Sequence, residues 1–152
     1  MRVATLMVLV VSLGLPGCRQ HVLQDGAYDV RLVEPLRDDC QLAAQSEVFA
    51  RGTLLTAGHI VRFSSEYLGA ELAGTYRYGL EEMTLDATLA NVRTRLRGQD
   101  CQVDTVAVAM DTVTQSPVRF TGQLNYQFTS KSNDACSCRF FFRFEATRAG
   151  GP

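Results

Sequence analysis

The fold of this chain is indicated most clearly by the stretch Val118-Arg119-Phe120-Thr121-Gly122-Gln123-Leu124-Asn125-Tyr126-Gln127-Phe128. Apolar side chains occupy every second position except Gly122, and polar side chains occupy the positions between them. Successive side chains of a β-strand point to opposite faces, so this alternation is typical of a strand with one buried and one solvated face. The stretch therefore predicts an amphipathic strand.

A second clear strand follows, because Cys138, Phe140, Phe142, Phe144 and Ala146 share one face, opposite Arg139, Arg143, Glu145 and Thr147. Weaker alternating runs, most of them bounded by turn-forming residues, extend over residues 28–34, 48–55, 59–67, 72–78, 83–96 and 103–110. About eight short strands with short connections predict an all-β fold, an antiparallel meander that forms a small barrel or a sandwich.

Residues 80–97 allow two interpretations. A helix capped by Gly98 is supported by apolar residues at helical spacing, which are Leu85, Leu89, Val92 and Leu96. A strand is supported by apolar residues at alternate positions, which are Met83, Leu85, Ala87 and Leu89. We predict the strand, and the helix remains the alternative.

Glycine recurs at inward positions between apolar neighbours, in Ala50-Arg51-Gly52-Thr53-Leu54, Leu72-Ala73-Gly74-Thr75-Tyr76 and Phe120-Thr121-Gly122-Gln123-Leu124. Glycine weakens a strand unless the geometry requires it. These positions predict a sharp bend, a bulge, or room for a large side chain from across the core.

The N-terminus carries a targeting pattern. After Met1-Arg2, residues 3–15 are almost all apolar, too few to cross a bilayer and of the right length for the hydrophobic region of a signal peptide. The run ends in Leu15-Pro16-Gly17-Cys18, which resembles the lipobox of bacterial lipoproteins, although Pro16 departs from the usual small residue. The resemblance implies that Cys18 is lipidated and becomes the new N-terminus, on the periplasmic or exposed side of the outer membrane.

The domain organisation follows from this signal. We expect a signal peptide at residues 1–17, a lipidated N-terminus and tether at 18–25, a single β-domain at 26–148 and a disordered tail at 149–152. Roughly 135 residues would remain after cleavage, enough for one domain with a substantial core.

The five cysteines support an oxidising compartment. Assigning Cys18 to lipid leaves Cys40, Cys101, Cys136 and Cys138, an even set. In an eight-strand meander these four should gather at one end, opposite the start of the first strand. We predict two disulfides in which Cys136 and Cys138 each pair with Cys40 or Cys101. A zinc site built from four thiolates is the alternative.

No catalytic set can be assembled from the sequence. His59 is the only histidine inside the expected domain, and no nucleophile, phosphate loop or metal motif accompanies it. The 15 basic and 16 acidic residues create no field that would attract nucleic acid. We therefore expect no enzymatic activity, no metal or other cofactor, and no nucleic-acid partner.

Two surface features indicate a partner. Arg93, Arg95 and Arg97 would line one face of a strand and could meet an acidic protein, a glycan or a lipid headgroup, or simply face solvent. Phe141 lies between Arg139 and Arg143 on the predicted solvent face, so it is either covered by the chain's own loops or an apolar anchor at an interface.

The sequence therefore predicts a membrane-anchored envelope lipoprotein whose β-domain is a binding or structural module, with an envelope protein or glycan as partner. The alternative is a carrier of a small apolar ligand, because Gly26-Ala27-Tyr28 at the first strand and the aromatic interior resemble lipocalins. A filled interior would argue against the carrier, and an apolar void of several hundred Å³ would favour it.

Overall fold

The computed structural model describes residues 22–45, 51–79 and 81–150, and it is a closed barrel of eight antiparallel strands. Each strand pairs with the next in sequence, and β1 pairs with β8 to close the barrel. The strands are β1 (Gly26–Asp38), β2 (Arg51–Ala57), β3 (Ile60–Ser65), β4 (Glu71–Arg77), β5 (Glu82–Leu96), β6 (Gln99–Ser116), β7 (Arg119–Thr129) and β8 (Cys138–Arg148). The predicted all-β meander is confirmed, as a barrel rather than a sandwich.

Strand β5 resolves the ambiguity at residues 80–97, where the helix alternative is wrong. The strand pairs with both β4 and β6. Its inward-facing positions have odd residue numbers before Asn91 and even residue numbers after it, and Asn91 has a positive φ of 55°. Leu89 and Val92, on either side of Asn91, both pack against the core although they are three residues apart. The change of parity inside one strand therefore produces the helix-like spacing.

Several strand limits differ from those expected. The structure extends the predicted run at 103–110 to the whole of β6, Gln99–Ser116, which pairs with β5 and β7. Residues 46–50, which include the expected start of the second strand, lie outside the described residues. The same holds for residues 151–152 of the expected tail. Within the described parts of the chain, no helix is long and apolar enough to cross a lipid bilayer.

Aromatic rings fill the barrel interior. Phe140 and Phe142 stack with centroids 4.6 Å apart, and Tyr28 packs against Phe120 at 5.2 Å. Among the described residues, eight aromatic side chains are at most 2% exposed, namely Tyr28, Tyr126, Phe63, Phe120, Phe128, Phe140, Phe142 and Phe144. Close-packed rings of this number leave the central space occupied by side chains.

The recurring glycines serve geometry, and the predicted room for a large side chain is found at Gly52 alone of the three. A Cβ atom at Gly74 would lie 1.8 Å from the carbonyl oxygen of Thr84, so the two strands approach too closely there for any side chain. At Gly122 the corresponding distance to the Asp111 carbonyl oxygen is 2.2 Å. Gly52 instead makes room for the Phe63 ring. Two of these glycines therefore allow close strand contact, and one accommodates a core side chain.

The two ends of the barrel differ. We call the end at which β1 begins the proximal end, and it also carries the turns between β2 and β3, β4 and β5, and β6 and β7. The opposite end, where β1 finishes and β8 begins, contains all four domain cysteines. We call it the disulfide end. This arrangement confirms that the cysteines gather opposite the start of the first strand.

The residues just before β1 are bound to the proximal end. Leu23 is only 3% exposed, and the Gln24 amide donates a hydrogen bond of 2.8 Å to the Pro117 carbonyl. The Asp25 carboxylate accepts hydrogen bonds from the amide and hydroxyl of Thr56. Residues 23–25 of the expected tether are therefore bound to the barrel, and residues 18–21 lie outside the described residues.

Buried tyrosines predict alkaline sensitivity. Burial raises the pKa of Tyr28 to about 12, and it also raises the pKa of Tyr126. An unfolded tyrosine titrates near pH 10, so the folded state holds these protons more tightly. Their contribution to stability is complete below about pH 10 and falls as pH rises through 10 to 12. We expect urea unfolding to show that loss, with a shallower pH dependence in Tyr28→Phe. An unchanged slope in the variant would contradict this cause.

Candidate functional site

Two disulfides connect the loops of the disulfide end. Cys40 is bonded to Cys138, with Cα atoms 5.3 Å apart, and Cys101 is bonded to Cys136, with Cα atoms 5.6 Å apart. The structure confirms the prediction that Cys136 and Cys138 each pair with Cys40 or Cys101. Because all four sulfurs are bonded in pairs, the zinc alternative is wrong. Elsewhere in the described chain, no group of three or more His, Cys, Asp or Glu residues is placed to hold a metal.

Arg97 joins these loops from the turn after β5. Its Nε donates a hydrogen bond of 2.7 Å to the Asp39 carbonyl, and its Nη1 donates one of 3.2 Å to the Ala135 carbonyl. Its own amide donates to the Cys40 carbonyl at 2.8 Å. Arg97 therefore does not share the outer face of β5 with Arg93 and Arg95. It binds the loop after β1 to the loop before β8.

Short polar side chains also hold the loops of the disulfide end through hydrogen bonds. The Asp38 carboxylate accepts hydrogen bonds of 2.9 Å from the amides of Leu42 and Ala43, which fixes the loop after β1. Ser130 and Ser137 bind each other through hydroxyl and backbone groups across the loop before β8. The sequence signals these side chains only as residues typical of turns. Together with the disulfides, they make the disulfide end a firmly connected surface.

Arg93 and Arg95 are exposed on the outer face of β5, as expected. The Nε of Arg93 donates to the side-chain oxygen of Gln102 at 2.9 Å, and the Nε of Arg95 donates to the Gly98 carbonyl at 3.2 Å. Both line a surface depression of about 640 Å³ beside the first residues of β6. These contacts hold the two guanidinium groups on the outer face, beside the start of β6.

Phe141 lies half-buried on the outer face of β8. The guanidinium carbon of Arg139 is 5.7 Å from the centre of its ring. Arg139 is held there by a hydrogen bond of 2.8 Å from its Nε to Asn125. Arg143 pairs with Glu34 at 3.0 Å. A neighbouring arginine of the same strand thus lies over the ring, which forms a surface where an apolar group and a cation are presented together.

The two predicted partner surfaces are separate. Arg93 and Arg95 are on β5, whereas Arg139 and Phe141 are on β8, and β6 and β7 lie between these strands. Both surfaces are in the half of the barrel nearer to the disulfides. A partner would therefore meet either surface from the side of the disulfide end.

A larger groove on the outer wall was not signalled by the sequence. It has a volume of about 680 Å³ and is lined by residues from six strands, among them Arg77, Glu82 and Glu145. Arg77 pairs with Glu82 at 3.3 Å, and Glu145 pairs with Arg119 at 2.6 Å. The groove crosses the neighbouring strands β4 to β8 and reaches Val33 of β1 through the β1–β8 pairing, so alternation along single strands could not reveal it. Its charged groups largely neutralise one another.

His59, the histidine considered for catalysis, is exposed in the turn after β2. Its ring packs edge-on against Tyr78, with centroids 4.9 Å apart. This contact gives the imidazole a structural role in the turn at the proximal end.

Comparisons with protein-family models, curated proteins and solved structures gave no significant match to the chain. The geometry of the barrel and the N-terminal sequence pattern are therefore the observations that indicate a function.

Proposed function

We propose that this chain is a lipid-anchored protein of the bacterial outer membrane, on its periplasmic or exposed side, and that its barrel is a non-enzymatic binding module. The observation that carries the proposal is the separation of the two ends. The chain enters the barrel at Gly26 on the proximal end, whereas both disulfides fix the loops of the opposite end.

The N-terminal pattern supports the anchor. Cys18 of the lipobox-like segment is the one cysteine outside the two disulfides. Disulfides persist in exported proteins, and a lipobox is read in the same export route. Acyl chains contribute about 0.8 kcal/mol per buried CH₂, so a multiply acylated Cys18 would hold the barrel permanently at a membrane.

The fixed loops support a role in binding. A surface that is already ordered loses little conformational entropy when a partner binds. The exposed arginines of β5 and the Arg139 and Phe141 surface both lie beside such ordered loops. Their chemistry fits an acidic envelope protein or an anionic glycan, with the cations providing complementary charge. The anchor would present these surfaces away from the membrane.

The carrier function receives less support. A small ligand needs space, and the interior is occupied by aromatic rings packed face to face or edge to face, with centroids between 4.6 and 6.4 Å apart. We therefore do not propose it as a second function.

Substitution of Cys18 tests the anchor. We expect Cys18→Ser to move the protein from the membrane fraction to the soluble fraction, or to stall its processing, because serine cannot form the thioether to diacylglycerol. Mass spectrometry of the wild-type N-terminus should show the acyl modification. Since the barrel begins eight residues later, the released variant should retain both disulfides. An unmodified wild-type Cys18, or unchanged membrane association of the variant, would contradict the proposal.

A further inference from the structure

Exposed apolar side chains are concentrated at the proximal end. Seven large apolar side chains are strongly exposed among the described residues, and Val33 and Leu36 of β1 are two of them. The other five lie within four residues of a strand terminus at the proximal end, and they are Val22, Leu55, Ile60, Tyr78 and Val113. Ile60 is the most exposed of these five at 56%, and Tyr78 is 41% exposed. Single exposed apolar residues are ordinary, but a group at one end indicates an interaction surface.

Three of these residues form a continuous rim. In the β2–β3 hairpin Ala57 is paired with Ile60, which places Leu55 diagonally across from Ile60 on the same outer face. Tyr78 closes onto this hairpin, because its hydroxyl donates a hydrogen bond of 2.7 Å to the Gly58 carbonyl. A tyrosine with an apolar ring and a bound hydroxyl suits the boundary between water and hydrocarbon.

The charges near the rim do not form a basic patch, although one exposed arginine, Arg62, pairs with Leu55 across the hairpin. Arg77 is paired with Glu82, and Arg119 is paired with Glu145. The guanidinium of Arg148 donates to the side chain of Gln24 and to the Asp25 carbonyl. Attraction to anionic headgroups is therefore a weak contribution, and contact with a membrane at this end would depend on apolar insertion.

The short segment between Cys18 and the barrel indicates that the surface facing the rim is the membrane. Val22 is exposed and directly precedes Leu23, which is buried in the core, and Gln24, which is bound to the β6–β7 turn. Only four residue steps separate Cys18 from Val22, a reach of at most about 14 Å at ~3.5 Å per residue. A lipidated Cys18 would therefore bring the rim to the depth of the headgroups.

We propose that the proximal rim of Leu55, Ile60 and Tyr78 inserts into the interfacial layer of a phospholipid bilayer and fixes the orientation of the barrel on it. This inference rests on the proposed lipid anchor at Cys18. Docking through three apolar side chains prevents the barrel axis from lying in the plane of the membrane. It thereby keeps the disulfide end in the aqueous phase.

Tryptophan fluorescence can test this docking, because the chain contains no tryptophan. The lipidated protein with Ile60→Trp is incorporated into phosphatidylcholine vesicles that contain brominated phosphatidylcholine, a contact quencher. Tyr78→Trp is a second reporter, should the first disturb the β2–β3 turn. Leu36→Trp is the matched control, because Leu36 is also exposed and lies towards the disulfide end.

We expect the Ile60→Trp emission to shift to the blue and to lose roughly half of its intensity, and the Leu36→Trp emission to change little. Equal responses at both positions, or no quenching at Ile60 and Tyr78, would overturn the docking. A blue shift without quenching would indicate self-association through the rim and would also overturn it. Mass spectrometry separates the two proposals: unmodified Cys18 refutes the anchor and the docking, whereas lipidated protein without quenching refutes the docking alone.

Discussion

Replacement of Gly74 with alanine is expected to destabilise the barrel strongly. The new Cβ would lie 1.8 Å from the carbonyl oxygen of Thr84 and 2.7 Å from the Cα of Leu85, both backbone atoms of the neighbouring strand. Backbone atoms cannot move aside as a flexible side chain does, so β4 and β5 would have to separate where they pair. We expect a loss of more than about 4 kcal/mol in the free energy of unfolding, at the upper end of single substitutions.

Urea unfolding of Gly74→Ala, with Gly69→Ala as the control, measures this effect. Gly69 has a positive φ of 60° and no atom within 4 Å of a built Cβ, so its substitution reports only the backbone preference, about 1–2 kcal/mol. Gly122→Ala should resemble Gly74→Ala, because its Cβ would meet the Asp111 carbonyl oxygen. Equal losses at Gly74 and Gly69 would show that close strand approach does not limit the substitution.

The same glycines show how far the sequence could predict the fold. Alternation along β7 and β8 predicts the strands, and glycine at inward positions predicts that the sheet needs unusual geometry there. The sequence could not say which glycine allows close strand contact and which accommodates a ring. That distinction depends on atoms of β5, β6 and β3 that come close only when neighbouring strands pair in the sheet.

Strand β5 marks a second limit. Its apolar residues fit a helix because the backbone at Asn91 has a positive φ and exchanges the inward and outward positions. Recognition of an element from its sequence assumes one period along the whole element. When the inward-facing positions of a strand switch from odd to even residue numbers, the spacing of apolar residues resembles that of a helix. Residues on both sides of Asn91 pair with β6, which shows that the whole segment is one strand. Strand pairing is a tertiary contact, so the local sequence does not reveal it.

The candidate site was predictable where covalent chemistry constrains it. Four cysteines and an antiparallel order are sufficient to place both disulfides at one end. The role of Arg97 was not predictable, because a residue placed by alternation on an outer face instead lies in a turn and binds two carbonyl groups. Side-chain direction at a strand end depends on the turn geometry, which the periodic pattern does not contain.

The disulfides should contribute the other large effect on stability. Cys40–Cys138 spans 98 residues, and the chain-entropy relation gives about 4.7 kcal/mol for a loop of that size. Cys101–Cys136 spans 35 residues and gives about 3.8 kcal/mol. The total stability of a domain is commonly about 5–15 kcal/mol, so loss of either bond removes a large fraction of it.

Paired substitutions to alanine remove each disulfide without leaving a free thiol. In the soluble Cys18→Ser background, we expect Cys40→Ala/Cys138→Ala to lower the free energy of unfolding by roughly 4–5 kcal/mol and Cys101→Ala/Cys136→Ala by roughly 4 kcal/mol. Urea unfolding under reducing and non-reducing conditions is the internal control, because reduction should destabilise the parent, which has two disulfides, more than either paired variant, which retains one. A loss below about 1 kcal/mol for both pairs would mean that Arg97, Asp38 and the serines hold the disulfide end without the covalent bonds.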